Sequence, residues 1–212
     1  GDIRRPDNWI STAAEFIGTT IFVFIGVGSV VGSGIFIGET GAITGGQLLV
    51  IALGHGLGIT TMVAATARIS GGHLNPAVTI AMFFSGNIDG LKGLMYVIAQ
   101  LLGAICGALL IKAIVPDALE GALGSHAIAP GVSIGSAILL EMCLTFGLVF
   151  VIYATAVDER GPSNLAPFAI GMVVVMTAFV GAALTGASLN PARTLGPAVA
   201  VGQWADHWVY WV

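Results

Sequence analysis

Charge is what this sequence has least of. Asp, Glu, Lys and Arg make up only 8% of 212 residues, against about a quarter in ordinary soluble domains. A surface so poor in charge cannot face water on every side, which excludes a soluble globular protein. Cysteine is nearly absent as well. Cys106 and Cys143 both fall in apolar runs and read as small packing residues, so neither a disulfide nor a redox compartment follows. The alternating apolar and polar segments of roughly ten residues that build a β-barrel are missing. A net charge of −4 offers no footing for nucleic acid. No His, Cys or Asp pair has metal-ligand spacing, no Gly-x-Ser-x-Gly elbow is present, and no cofactor is implied. The opening "GDIRRPDNW" lacks the basic region and short apolar stretch of a signal peptide, and none is expected.

What the chain does have is long apolar runs and 31 glycines. Runs near twenty residues match the length a helix needs to cross a bilayer. Five such spans are predicted, at about 10–33, 47–68, 93–115, 133–156 and 165–184. A sixth begins near His207 with "HWVYWV". Turn chemistry separates them: "GETGAITGG", "SGNIDG", "VPDALEG" and "DERGPSN". Glycine suits closely packed membrane helices, where small residues let backbones approach. The run "GVGSVVGSG" and the pair Gly103 and Gly107 are candidates for packing within or between protomers.

Two shorter apolar stretches, about 76–86 and 191–200, cannot span. Each follows a small-residue run and the tripeptide Asn-Pro-Ala: Asn75, Pro76, Ala77 in "SGGHLNPAVT", and Asn190, Pro191, Ala192 in "TGASLNPART". Asn is a favoured helix N-cap, and Pro suits the first helical position because its missing N–H is not needed there. Each tripeptide therefore starts a half-length helix. Irregular backbone at membrane depth survives only where it is buried in protein or lines a wet cavity, so two re-entrant half-helices imply a pore.

The chain also repeats. "AEFIGTT" and "LEMCLTF" share Glu-x-x-x-Thr, and each precedes its Asn-Pro-Ala box by two spans. Three spans per copy is an odd number, so the second copy must insert upside down. The expected fold is all-α: one transmembrane domain over 1–212, with repeat 1 about 9–115, repeat 2 about 133–212, and half-helices meeting at the midplane. With the N-terminus cytoplasmic, Arg4, Arg5, Arg68, Lys92 and Arg160 lie inside, and only Lys112 and Arg193 lie outside. Glu15 and Glu141 have no cation in helical register. They either relay protons or accept backbone N–H groups from the re-entrant loops; their match across the repeat favours the second role, with His73 in the same bracing set. Asp158, Glu159 and Arg160 form a cytoplasmic turn that reads as solvated rather than as a gate.

The two boxes, the matched glutamates and an Arg three residues after the second Asn resemble the aquaporin (major intrinsic protein) family over nearly the whole chain. That family has six full spans. The sixth is expected to be truncated in this chain rather than missing from the channel, since losing a wall helix would open the pore to lipid. The resemblance implies a homotetramer in the bilayer, with one pore per subunit. Two facing half-helices put two positive dipole ends at one point and repel cations. Amides of Asn75 and Asn190 that engage a water's lone pairs interrupt its proton wire. Arg193 would form the outer constriction.

Counting from the asparagines as the family does places the selectivity filter at His55, Ala178, Ala187 and Arg193. Water-selective members usually carry His at the position of Ala178, so this filter is wide yet polar. Plant vacuolar members with His at the positions of His55 and His126 resemble ammonia-permeable water channels; the other role for His126 is an exposed loop residue. Thr194, where glycerol facilitators carry Asp, together with Ala198 and Tyr210–Trp211, looks like the water branch. The expected function is passive passage of water and small neutral solutes such as ammonia, excluding protons and ions, in the plasma or inner membrane. Alternatives are a strict water channel, a glycerol or urea facilitator, a closed packing protein, or an intramembrane enzyme built on Ser188.

Overall fold

A computed structural model describes residues 4–34 and 43–212. Most of the turn "GETGAITGG" lies outside the described residues. Three-quarters of the described residues are helical, and they contain no strand. The long helices are α1 (Pro6–Gly32), α2 (Gly45–Ser70), α4 (Gly90–Ile114), α6 (Ile134–Ile152) and α7 (Ala166–Gly181). The short ones are α3 (Pro76–Phe84), α5 (Asp117–Glu120) and α8 (Pro191–Val201). With the turns that extend α6 and precede α7, five segments are long and apolar enough to cross a membrane.

Local sequence explains the boundaries. Thr44 and Gln47 form a reciprocal capping box at the start of α2. The side chains of Asp89 and Ser133 accept N–H groups at the starts of α4 and α6. Gly71 closes α2 and Gly202 closes α8, both with the positive φ that glycine tolerates. Three features escaped the sequence reading. The acidic outer loop folds its "DALE" into α5. The fourth span ends in a π-helical turn, Tyr153–Val157. The segment His207–Trp211 is one 3-10 turn that buries Val209 and Tyr210.

Glycines set which helices touch. A Cβ on Gly103 would stand 2.5 Å from the Phe16 carbonyl, and one on Gly107 would strike the Thr20 carbonyl, so α4 lies directly on α1. Gly56 and Gly171 clear each other's backbone in the same way, joining α2 to α7. Gly196 lets α8 press on Ala104 of α4. These contacts put Gly103 and Gly107 to work within the protomer. Large apolar side chains such as Ile17, Leu57, Leu102, Phe146 and Phe179 point outward, as a bilayer-facing surface requires. Cys143 is exposed on this outer face rather than buried between the helices as a packing residue would be; both cysteines are free.

Candidate functional site

A cavity of about 820 Å³ runs between the helices. Its walls carry Arg68, Val157 and Asn164 towards the predicted cytoplasmic end, and Ser125, His126 and Arg193 towards the other. His55, His73, Asn75, Ala178, Ala187 and Asn190 also line it.

At its middle the half-helix tips meet. The Asn75 side chain accepts the Ala77 N–H at 2.9 Å and donates from Nδ2 to the Leu189 carbonyl at 2.8 Å. Asn190 mirrors it, accepting the Ala192 and Arg193 N–H groups and donating to the Leu74 carbonyl at 2.9 Å. Each asparagine thus caps its own helix and clasps the loop of the other. One of its two amide hydrogens is spent on the clasp, and the other is left for a molecule in the cavity. Leu74 and Leu189 each adopt φ of +52°, a left-handed conformation costly for a branched side chain, held here by burial and by the clasp.

Both glutamates take hydrogen bonds from those loops. Glu15 accepts from Ser70 Oγ, from the His73 and Leu74 N–H groups and from Gln100 Nε2, at 2.6–2.9 Å. Glu141 accepts from Thr185 Oγ1 and from the Ser188 and Leu189 N–H groups, at 2.6–3.1 Å. Tyr96 and Tyr210 repeat the symmetry, each donating at 2.7 Å, to the carbonyls of Ser70 and Thr185. The sequence reading missed Ser70, Thr185, Thr79, Gln100 and Tyr96, and took Thr194 and Tyr210 only as marks of the water branch. Their signal was present: aligning "ISGGHLNPAVTI" with "LTGASLNPARTL" superposes Ser70 on Thr185 and Thr79 on Thr194. Gln100 and the tyrosines lie beyond that alignment and carry no motif.

Nearer the predicted outer end, Arg193 is buried and its Nε donates to His55 Nε2 at 2.9 Å. His55 Nδ1 lies 2.9 Å from the Ile51 carbonyl, which can only accept. The tautomer is therefore forced: Nδ1 carries the hydrogen, and Nε2 offers its lone pair to Arg193. Gly26 makes this possible, since a Cβ there would sit 2.7 Å from His55 Nε2. Arg193 Nη1 has no hydrogen-bond partner among the described residues. Ala178 and Ala187 line the same cavity. His126 is not an exposed loop residue. It is buried, its Nδ1 lies 2.7 Å from Thr194 Oγ1, and its ring packs 5.3 Å from that of Tyr210. Ser188, imagined as a nucleophile, is committed to Asn190 and Thr194. Among the described residues no cluster of three metal-ligating side chains occurs.

A family profile described as "Major intrinsic protein" matches residues 2–212. The chain belongs to that family. Its relatives include Aquaporin TIP1-2 of Zea mays, 46% identical over the whole of this chain and 83% of that protein. Another is Probable aquaporin TIP3-2 of Arabidopsis thaliana, 43% identical over the whole of this chain and 80% of that protein. Among solved structures, the aquaglyceroporin from Plasmodium falciparum superposes with a TM-score of 0.81 at 26% identity, covering 97% of this chain and 88% of that one. The major intrinsic protein fold assigned from sequence therefore stands, and the chain is a membrane transporter and not an enzyme. One expectation is overturned. The relatives are tonoplast (TIP-type) aquaporins, which points to the vacuolar membrane rather than the plasma or inner membrane. Nothing in the chain's own residues encodes that address in a form that charge or hydropathy could reveal.

Proposed function

We propose that this aquaporin is a passive channel for water and small neutral solutes, ammonia among them, that excludes protons and ions. The observation that carries the proposal is the pairing of His55 with Arg193 at 2.9 Å on a cavity that the small Ala178 and Ala187 also line, a combination of polarity and breadth. Deeper in, Asn75 and Asn190 each hold a spare amide hydrogen at the point where two helix N-termini converge. A passing water that accepts from both has no lone pair left for a neighbour's proton, and the converging dipoles raise the energy of any cation there. Arg193 repeats the cation barrier at the constriction.

Thr194 beside Arg193 argues against glycerol as the main solute. The breadth left by the two alanines keeps urea and glycerol in the experiment. Proteoliposomes in a stopped-flow cell, challenged with sucrose, glycerol and an ammonium gradient, separate the readings. Rapid osmotic shrinkage with fast internal alkalinisation and slow glycerol entry is the expected pattern. Ala178→His should cut ammonia flux by roughly tenfold while keeping most of the water flux, because an imidazole narrows the open side. Unchanged ammonia flux would remove Ala178 from the filter. We also propose a homotetramer with a pore in each subunit, in line with the broad apolar outer face of α1, α2, α6 and α7.

A further inference from the structure

We infer that His126 is a positioning residue for the second Asn-Pro-Ala cap, acting through Thr194 and Ser188 rather than on the permeating molecule. The inference rests on the proposed role of Asn190 as half of the proton barrier.

The two repeats solve the same problem with different parts. In the first, Thr79 Oγ1 donates to the Asn75 carbonyl at 3.1 Å, accepts from Gln100 Nε2 at 2.9 Å and lies 3.1 Å from Nδ1 of His73, which stands where Ser188 stands in the second. Gln100 reaches it from α4, inside the membrane. In the second, Thr194 stands where Thr79 stood, and its Oγ1 is met by His126 at 2.7 Å, brought in from the outer loop 68 residues away. The hydroxyl chain then continues inward. Thr194 Oγ1 lies 2.5 Å from Ser188 Oγ, and Ser188 Oγ is 3.2 Å from the Asn190 carbonyl and 3.3 Å from the Asn190 N–H.

Counting hydrogens gives the chain a direction. Ser188 has one hydroxyl hydrogen and accepts the Asn190 N–H. If that hydrogen goes to the Asn190 carbonyl, Ser188 must accept from Thr194, and Thr194 must then accept from His126 Nδ1–H. The relay ends on the carbonyl that also accepts the Thr194 N–H at 3.1 Å, within the first turn of α8. His126 thus sets the register of the turn that carries both Asn190 and Arg193. The surroundings fix its ring: Tyr210 packs on it, and Gly186 lacks the Cβ that would collide with it. Tyr210 in turn donates to the carbonyl of Thr185, whose hydroxyl holds Glu141.

The test uses the full chain in proteoliposomes, with water permeability and proton leak read side by side. His126→Ala and Thr194→Val should each lower water permeability and raise proton leak by about fivefold, the scale of one neutral hydrogen bond. The double variant should be no worse than either single one, because both break one chain. His126→Asn places an amide N–H near the Nδ1 position and should restore both fluxes to within about twofold of the parent. His126→Gln puts it one bond too far and should not. Additive losses in the double variant, or Asn and Gln behaving alike, would overturn the inference. So would a change confined to ammonia or glycerol flux, which would make His126 a filter residue. Should the alanine variant fail to fold, the comparison of Asn with Gln decides. A parent protein that passes no water would instead sink the proposed function, an outcome visible before any variant is made.

Discussion

At the scale of single residues, two kinds of side chain behave differently under mutation. Glu15 gathers four donors in a fully buried site. Glu15→Ala orphans all four, at on the order of 1–3 kcal/mol each, a sum comparable with the whole margin of a typical protein. No monodisperse protein should survive detergent extraction, as size-exclusion chromatography will show. Arg193 is different, because α8 is capped without its side chain. Arg193→Val should fold, keep water flux and admit monovalent cations, read as a salt-dependent current in planar bilayers; an unchanged current would place the cation barrier at the asparagines alone. The residues with motif spacing, Asn75, Asn190 and Arg193, were legible in the sequence because capping and membrane depth leave them few roles. The His55 tautomer was not. It depends on the Ile51 carbonyl one turn back in α2 and on the clearance at Gly26 of α1, and that meeting of helices has no sequence signature.

Among the elements, helix existence was plain and helix contact was hidden. Apolar length announced all five spans, and Asn-Pro announced both half-helices. The pairing of α1 with α4 and of α2 with α7 rests on glycines that also read as generic flexibility. Gly171 is the sharpest case: a Cβ there would strike both Thr60 and the Gly56 carbonyl. Gly171→Val should destabilise the protein by about 1–3 kcal/mol through overpacking, seen as a lower melting temperature in detergent. Gly147 has open space around its Cβ position, so Gly147→Ala should leave that temperature unchanged or raise it. The charged turn after α6 is self-contained. Arg160 pairs with Asp158 at 2.7 Å while staying 90% exposed, and this hydrogen bonding holds the Asp158 carboxyl below its ordinary range. A lowered acid range means the pair is intact at neutral pH and loosens only as the solution is acidified through it. Arg160→Ala should therefore leave water permeability at pH 7 unaltered; a change would give the turn a gating role that its geometry does not require.

For the molecule as a whole, the repeat is the organising fact, and its two halves are not equal. Lys112 at the end of α4 donates to the Ala200 carbonyl at 2.6 Å and pairs with Glu120 of α5 at 3.2 Å. It puts a cation at the negative end of α8. The matching end of α3 meets the neutral hydroxyl of Tyr153, whose single hydrogen goes to the Ala81 carbonyl while Ser85 Oγ lies beside it. Lys112→Met should cost about 0.3–1 kcal/mol, lost mainly from the second half and detectable as faster amide exchange in α8 than in α3. Equal exchange in both would show that the tie carries little. The address in the cell was the one whole-molecule property the sequence reading placed wrongly, although the likeness of His55 and His126 to vacuolar members already pointed the other way.

The clasp between Asn75 and Asn190 also dictates an order of events. The Leu74 carbonyl and the Asn75 amide are synthesised 116 and 114 residues before the groups that satisfy them, Asn190 and Leu189. Until the second half is threaded in, those groups have only water to bond at the depth of the lipid tails, and the nascent first half must stay wet there. Completing the clasp ends that exposure for both halves in one step.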